Sequence, residues 1–294
     1  MNQRLKVFLS VFFVLSVTFF VARAFWPPAG GGSASGGKPS APPKQAVKVA
    51  TKKKPAKPAV VPVARPAVPA GQDQPRMAII LDDWGASGAH VDDVVALKRP
   101  LTLAVIPHLR RSQMVAEEAY AHGLGVMLHM PMQPKDRKPS EPHAILATMT
   151  DAQIRGLLDE ALESIPHVEG VNNHQGSAAT SDLRVMTTVL SHLKKKGLFF
   201  VDSKVIASSQ CAQAAKKTGI RFASRDVFID NVAVVDAVKE QLRRAIRIAR
   251  QTGQVVVIGH DKSATLEAIR LMVPEIERNG VKLVLAEELA EAVG

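Results

Sequence analysis

Residues 76–294 predict an α/β fold built on a mainly parallel sheet, and two observations carry that prediction. Apolar runs of four to six residues alternate with longer segments of helical period, which is how repeated strand–helix–strand units read. Several runs, Val255-Val256-Val257-Ile258 above all, are apolar at every position, as strands covered on both faces must be. Seven or eight strands of this kind fit either a barrel or a doubly wound sheet.

The N-terminal elements come before that sheet. Arg4 and Lys6 precede sixteen uncharged, mostly apolar residues, 7–22. Basic residues ahead of an apolar stretch favour export of the chain on its C-terminal side. Residues 1–26 therefore read as a signal anchor in the inner membrane, with a cleaved signal peptide as the rival because Ala22-Arg23-Ala24 fits a small-x-small cleavage site. Either reading predicts a periplasmic or otherwise extracytoplasmic location. Residues 27–75 hold glycine runs, many prolines and Lys52-Lys53-Lys54; such a stretch cannot bury enough surface to offset its ordering entropy and reads as a disordered linker. Eleven of the 38 Lys and Arg and one of the 27 acidic residues fall in residues 1–75. The chain's net charge of +11 thus belongs to this arm, and residues 76–294 are close to neutral, which argues against nucleic-acid binding. Aromatics at 4% give no stacking platform, and the single Cys211 excludes a disulfide framework.

Strands are expected at 77–81, 101–106, 125–128, 168–171, 198–201, 220–223 with a continuation through 227–229, 254–258 and 281–285. Between them, Ile154, Leu157, Leu158, Ala161, Leu162 and Ile165 have helical spacing, and Thr150 with Gln153 forms a capping box. Leu183, Met186, Val189, Leu190 and Leu193 repeat the pattern ahead of Gly197. Val238, Leu242, Ala245, Ile246 and Ala249 give a helix closed by Gly253, and Pro274 is expected to kink or split the helix after Ser263. No Gly-x-Gly-x-x-Gly and no Walker pattern follows a strand, so nucleotide sites have no support.

Chemistry gathers where the strands end. Asp82-Asp83 follows the first, Pro107-His108 the second and His129 the third; Asn172-Asn173-His174 follows the fourth, and Asp202-Ser203 the fifth. Arg225-Asp226, Asp230-Asn231 and His260-Asp261 follow the later ones. Parallel α/β folds collect ligand groups at strand C-terminal ends, and converging Asp and His side chains suit a divalent metal with acid–base chemistry. His90, His122, His143, His167 and His192 read as surface residues. Taken singly, His129, His174 and His260 could each be a hydrogen-bonded core histidine, and Asp83 a helix N-cap.

In order, Leu81-Asp82-Asp83-Trp84-Gly85, Ala104-Val105-Ile106-Pro107, Leu128-His129-Met130-Pro131-Met132, Gly170 to Ser177, Phe200-Val201-Asp202-Ser203, Arg225 to Asn231 and Ile258-Gly259-His260 resemble the divergent polysaccharide deacetylase family of bacterial envelope proteins. The resemblance implies a distorted (β/α) barrel over about residues 76–290 and a metal-dependent removal of acetyl groups from an N-acetylated glycan or peptidoglycan-type substrate. It makes Asp82 the general base, Asp83 and His129 metal ligands and His260 the acid that protonates the leaving amine. The relatives carry a second histidine four residues after the first in the third-strand motif, where this chain has Gln133; His174 is expected to supply the missing imidazole, with zinc the first choice of metal. Asp202 or Asp261 is expected to favour the protonated form of His260. Asn173, Asp226 and His108 complete the set expected to contact substrate or support the site. The missing histidine also leaves open a catalytically impaired module that binds glycan or a protein partner.

Overall fold

Alternate residues of the first strand enter two different cores, and this alternation organises the molecule. The computed structural model describes residues 74–136 and 141–292; the apolar N-terminal segment and most of the linker lie outside them. In β1 (Arg76–Trp84), Met77, Ile79 and Leu81 pack under the helices, whereas Ala78 and Ile80 join a second cluster with Ala104, Met127, Phe199, Val201, Val256 and Ile258. Both sets are fully buried because the sheet curls into a barrel whose outside is clad in helices and whose inside is filled by side chains.

The parallel strands are β1, β2 (Thr102–Val105), β3 (Gly125–Met132), β4 (Gly170–Gln175), β5 (Phe199–Asp202), β6 (Arg221–Ser224), β7 (Val227–Phe228), β8 (Gln254–His260) and β9 (Lys282–Val284). A two-residue β10 (Glu291–Ala292) pairs antiparallel with β6. The hydrogen-bonded order is β10-β6-β5-β4-β3-β2-β1-β8-β7, with β9 also on β1. The expected sixth strand does not run on. Arg225 N–H donates to Asp202 O beside β5, and Asp226 N–H donates to Val256 O in β8. Consecutive peptide groups therefore belong to opposite ends of the sheet, and the barrel closes through the covalent chain at this point.

Seven helices cover the outside among the described residues: α1 (Val91–Ala96), α2 (Ser112–Ala121), α3 (Asp151–Ser164), α4 (Leu183–Lys195), α5 (Cys211–Thr218), α6 (Val235–Thr252) and α7 (Ser263–Arg278). The Thr150–Gln153 capping box is formed, and Gly253 closes α6 at φ 86°. Pro274 does not split α7, which continues through it as one helix; Leu266, Ile269, Met272, Val273 and Ile276 bury a face on both sides of the proline, and that packing outweighs a lost backbone bond. Among the described residues no helix is long and apolar enough to cross a membrane.

Candidate functional site

The inward-facing positions of four strands turn polar at the C-terminal mouth of the barrel. In β1 the inward series Ala78, Ile80 ends in Asp82, and in β8 Val256, Ile258 ends in His260. Met127 of β3 is followed two residues later by His129, and Gly170 of β4 by Asn172 and then His174. A period of two keeps each of these polar groups on the barrel's inner face. Asp83 would point outward, but β1 bulges between Leu81 and Trp84 and Asp83 adopts φ 68°. This left-handed conformation costs a non-glycine residue about 1–2 kcal/mol and brings a second carboxylate to the same mouth.

Asn172, fully buried, joins two of these groups. Its amide nitrogen donates to Asp82 Oδ1 at 2.8 Å, so its carbonyl oxygen faces His129 Nδ1, also at 2.8 Å. His129 Nδ1 must then be the donor, and its Nε2 presents a lone pair 3.3 Å from Asp83 Oδ1. Glu141 lies 3.1 Å from His174 Nε2 and accepts its proton. His174 Nδ1 is left 3.0 Å from Asp83 Oδ1 and 3.1 Å from His129 Nε2. Asp83 Oδ1 is buried and has no hydrogen-bond partner among the described residues. Three donor atoms thus face one point at mutual spacings of 3.0, 3.1 and 3.3 Å. Metal–ligand bonds of about 2.0–2.2 Å at angles of about 90–110° space their donors about 2.8–3.6 Å apart, so the residues present fit a divalent cation.

When protonated, the same imidazoles act on Asp83 as hydrogen-bond donors, and a metal would take the place of those protons. Burial opposes ionisation of Asp83, but the adjoining His129 and His174 imidazoles hold its carboxyl far below the ordinary carboxylate range. Burial likewise opposes charge on His174, yet Asp83 and Glu141 raise its pKa. Asp82 behaves differently: burial pushes its carboxyl up, against the pull of His129 and Asn172. His260 Nδ1 bonds Asp230 Oδ1 at 2.9 Å, and its Nε2 stands 3.8 Å from Asp83 Oδ2. Burial works against its charged form, but the Asp230 carboxylate overrides it and raises the pKa. Asp230 is itself fixed by the His260 backbone N–H at 2.9 Å and by Thr265 Oγ1 at 2.8 Å.

The partner expected for His260 is therefore corrected. Asp202 lies on the outward face of β5, where it accepts from Lys204 N–H and Ser209 Oγ, both at 2.8 Å. Asp261 follows inward His260 and pairs with His90 at 2.6 Å. Asn173 is outward too, accepting from Ser203 N–H at 3.0 Å and donating to Gln175 O at 2.7 Å. Asp226 accepts the N–H of Val256 in the body of β8, at 2.8 Å. His108 sits with His143 and Glu160 in a separate, exposed group. None of these five makes a polar contact with Asp83, His129 or His174 among the described residues. His192, expected at the surface, is half-buried against Asp159 at 2.9 Å. Sequence reasoning noted Asn172 and Asp230 at strand ends without giving them a role, and passed over Glu141. The first two stand at strand ends and were open to being found by register; Glu141 comes from the loop between β3 and α3, which carries no motif.

Residues 79–290 match the profile of a family described as divergent polysaccharide deacetylase. The uncharacterized protein YibQ of Escherichia coli is 32% identical over 198 residues, 67% of this chain and 62% of that protein. An uncharacterized protein of Haemophilus influenzae is 32% identical over 197 residues, covering 67% of this chain and 70% of the relative. The chain thus spans less than two thirds of the length of the first of these relatives. Among solved structures, the uncharacterized protein ATU2773 of Agrobacterium tumefaciens superposes with a TM-score of 0.72 at 23% identity, over 77% of this chain and 92% of its own. BA3943 of Bacillus anthracis, a CE4 family pseudoenzyme, has a TM-score of 0.50 at 12% identity over 74% and 66%. Both likenesses are of the fold.

Asn172 gives the site its first test. Asn172→Leu removes its bonds to Asp82 and His129 and strands Asp82 Oδ1 and His129 Nδ1 in the interior, a loss of about 1–3 kcal/mol for each stranded atom. It also frees the His129 ring, so affinity for a divalent metal is expected to fall about 10–100-fold. Denaturant unfolding and a metal titration of the variant measure the two effects.

Proposed function

Because the chain belongs to the divergent polysaccharide deacetylase family, we propose that its barrel is a metal-dependent hydrolase removing acetyl groups from an N-acetylated polysaccharide of the bacterial envelope. The observation that carries this reading is the meeting of Asp83 Oδ1, His129 Nε2 and His174 Nδ1 within 3.3 Å of one another. A carboxylate and two imidazoles are a ligand set for zinc or another first-row divalent metal. Held there, the metal supplies Lewis-acid polarisation of the acetamide carbonyl and lowers the pKa of water.

The remaining chemistry belongs to the chain. Asp82, buried and held through Asn172, takes a proton from water as that water adds to the carbonyl carbon. Its raised pKa brings it closer to neutral pH than an ordinary carboxylate, which suits a general base. His260 enters protonated, because Asp230 stabilises the imidazolium, and gives its Nε2 proton to the departing amine. Asp82 and His260 approach Asp83 from adjacent strands, β1 and β8, whose registered pair is Asp82 with His260. That pairing sets base and acid side by side at the mouth.

One observation favours a second reading, a glycan- or protein-binding module that no longer turns over. Gln133 stands where the resembled relatives place their second histidine, and its Oε1 is committed to the Ala147 N–H at 2.8 Å. Metal bound without turnover on acetylated chitooligosaccharide or peptidoglycan fragments would select that reading.

Two variants test the proposal. Asp83→Ala is expected to abolish metal binding and turnover, since one of three protein ligands is lost. Asp82→Asn is expected to keep the metal and lower turnover about 10²–10⁴-fold. Metal stoichiometry and acetate release measured on both variants separate ligand from base.

The pH profile tests the acid. Activity is lost at low pH as Asp82 takes up its proton and at high pH as His260 gives its own up. Asp230→Asn deletes the anion that raises His260, so the alkaline limb of kcat/KM is expected to move to lower pH. An unmoved limb would remove His260 from the acid's role.

For location, we propose that residues 1–26 carry the barrel out of the cytoplasm. A reporter enzyme active only after export, fused after Gly294, is expected to be active. A cytoplasm-only reporter active at the same position would contradict this orientation.

A further inference from the structure

Beside the barrel mouth, β8 gives way to α7 through only two residues, Asp261 and Lys262, and Ser263 opens the helix. His90, at the start of α1, reaches across to both sides of this turn. Its Nδ1 lies 2.6 Å from Asp261 Oδ1, and its Nε2 lies 3.2 Å from Ser263 Oγ. The Asp261 side chain is 11% exposed and that of His90 is 30% exposed, so the pair is sheltered while Ser263 faces solvent. Ser263 Oγ caps neither helix, and its polar contact among the described residues is His90 alone. The three side chains are a hydroxyl, an imidazole within reach of it, and a carboxylate that orients the imidazole, which is the arrangement that activates a serine nucleophile.

Two further features complete such a site. The N–H groups of Ser263 and Ala264 belong to the first turn of α7, where they have no partner within the helix, and the helix dipole there favours a developing negative charge. A groove of about 450 Å³ is lined by His90 and Ser263, by apolar Ala96, Leu97 and Leu266, and by charged Asp93, Glu267 and Arg270. The aliphatic part of this lining suits a short acyl chain.

We propose that Ser263, His90 and Asp261 form a second hydrolytic centre, a serine esterase acting on carboxylic esters of short aliphatic acids. Ser263 Oγ bonds to the ester carbonyl carbon as its proton passes to His90 Nε2. The carbonyl oxygen takes the negative charge at the α7 N-terminus. The bond to the alkoxide then breaks, and His90 returns the proton to the leaving alcohol. Water, deprotonated by His90, cleaves the acyl-serine ester, releasing the carboxylic acid and restoring the hydroxyl. Asp261 holds the ring throughout by its contact with Nδ1. No metal takes part, so this centre is independent of the deacetylase reading.

A fluorophosphonate probe tests the proposal on the full chain. Attack by Ser263 Oγ forms an O–P bond, breaks P–F and releases fluoride. Peptide mapping by mass spectrometry is expected to find the adduct on Ser263 in folded, chelator-treated protein, at a rate reduced at least about 100-fold in His90→Gln. The same chelator-treated protein is expected to hydrolyse p-nitrophenyl butyrate, and Ser263→Ala to lose that activity. Absence of label from Ser263 in the folded parent would overturn the proposal without recourse to any variant. So would hydrolysis by chelator-treated Ser263→Ala at the parental rate.

Discussion

One buried amide sets the orientation of the groups at the centre of this barrel's mouth. Asn172 has no exposure to solvent and connects a carboxylate on β1 to an imidazole on β3. An amide has one donor end and one acceptor end, so bonding Asp82 with its nitrogen leaves only its oxygen for His129. That single choice of orientation fixes the proton on His129 Nδ1 and turns the Nε2 lone pair toward Asp83. A carboxylate in place of Asn172 would set two like charges beside each other; an apolar residue would strand two polar groups in the interior.

The same device recurs at the other two histidines. Glu141 backs His174, Asp230 backs His260, and in each case the nitrogen left over faces Asp83. The backing group differs, and with it the expected chemistry. A neutral amide behind His129 and a half-exposed glutamate behind His174 suit ligands. An aspartate held by a backbone N–H and by Thr265 Oγ1 suits a group that must carry a proton. Asp82 and Asp83 are neighbours in sequence and diverge for a comparable reason: burial raises one, while two imidazoles beside the other hold it ionised. Pushing adjacent carboxyls apart in this way is how two equivalent side chains acquire separate tasks.

Much of this was legible in the sequence. Apolar strands followed by Asp82-Asp83, His129, His174 and His260 located the mouth, because parallel strands end on one face. Register decided the rest. Counting by twos from Ala78, Met127, Gly170, Phe199 and Val256 separates inward Asp82, His129, Asn172, His174 and His260 from outward Asn173, Asp202 and Asp261. The apolar runs alone did not show where each strand ends: β3 continues through His129 to Met132, and β4 through its whole polar motif. The break between β6 and β7 depends on which strand each peptide group finds across the barrel, and Glu141 on how a loop folds back. Neither is a local property of the chain. Pro274 shows the same limit from the other side, since the buried face of α7 overrides the residue's own preference.

The central claim is that Asp83, His129 and His174 hold one divalent metal. Anomalous diffraction at a metal absorption edge, from crystals of the barrel grown with zinc, tests it most directly. The account predicts a peak bonded to Asp83 Oδ1, His129 Nε2 and His174 Nδ1, with Asn172 still joining His129 to Asp82. A metal-saturated crystal with no peak between those three atoms, or with its metal bound to a different set of side chains, would contradict it.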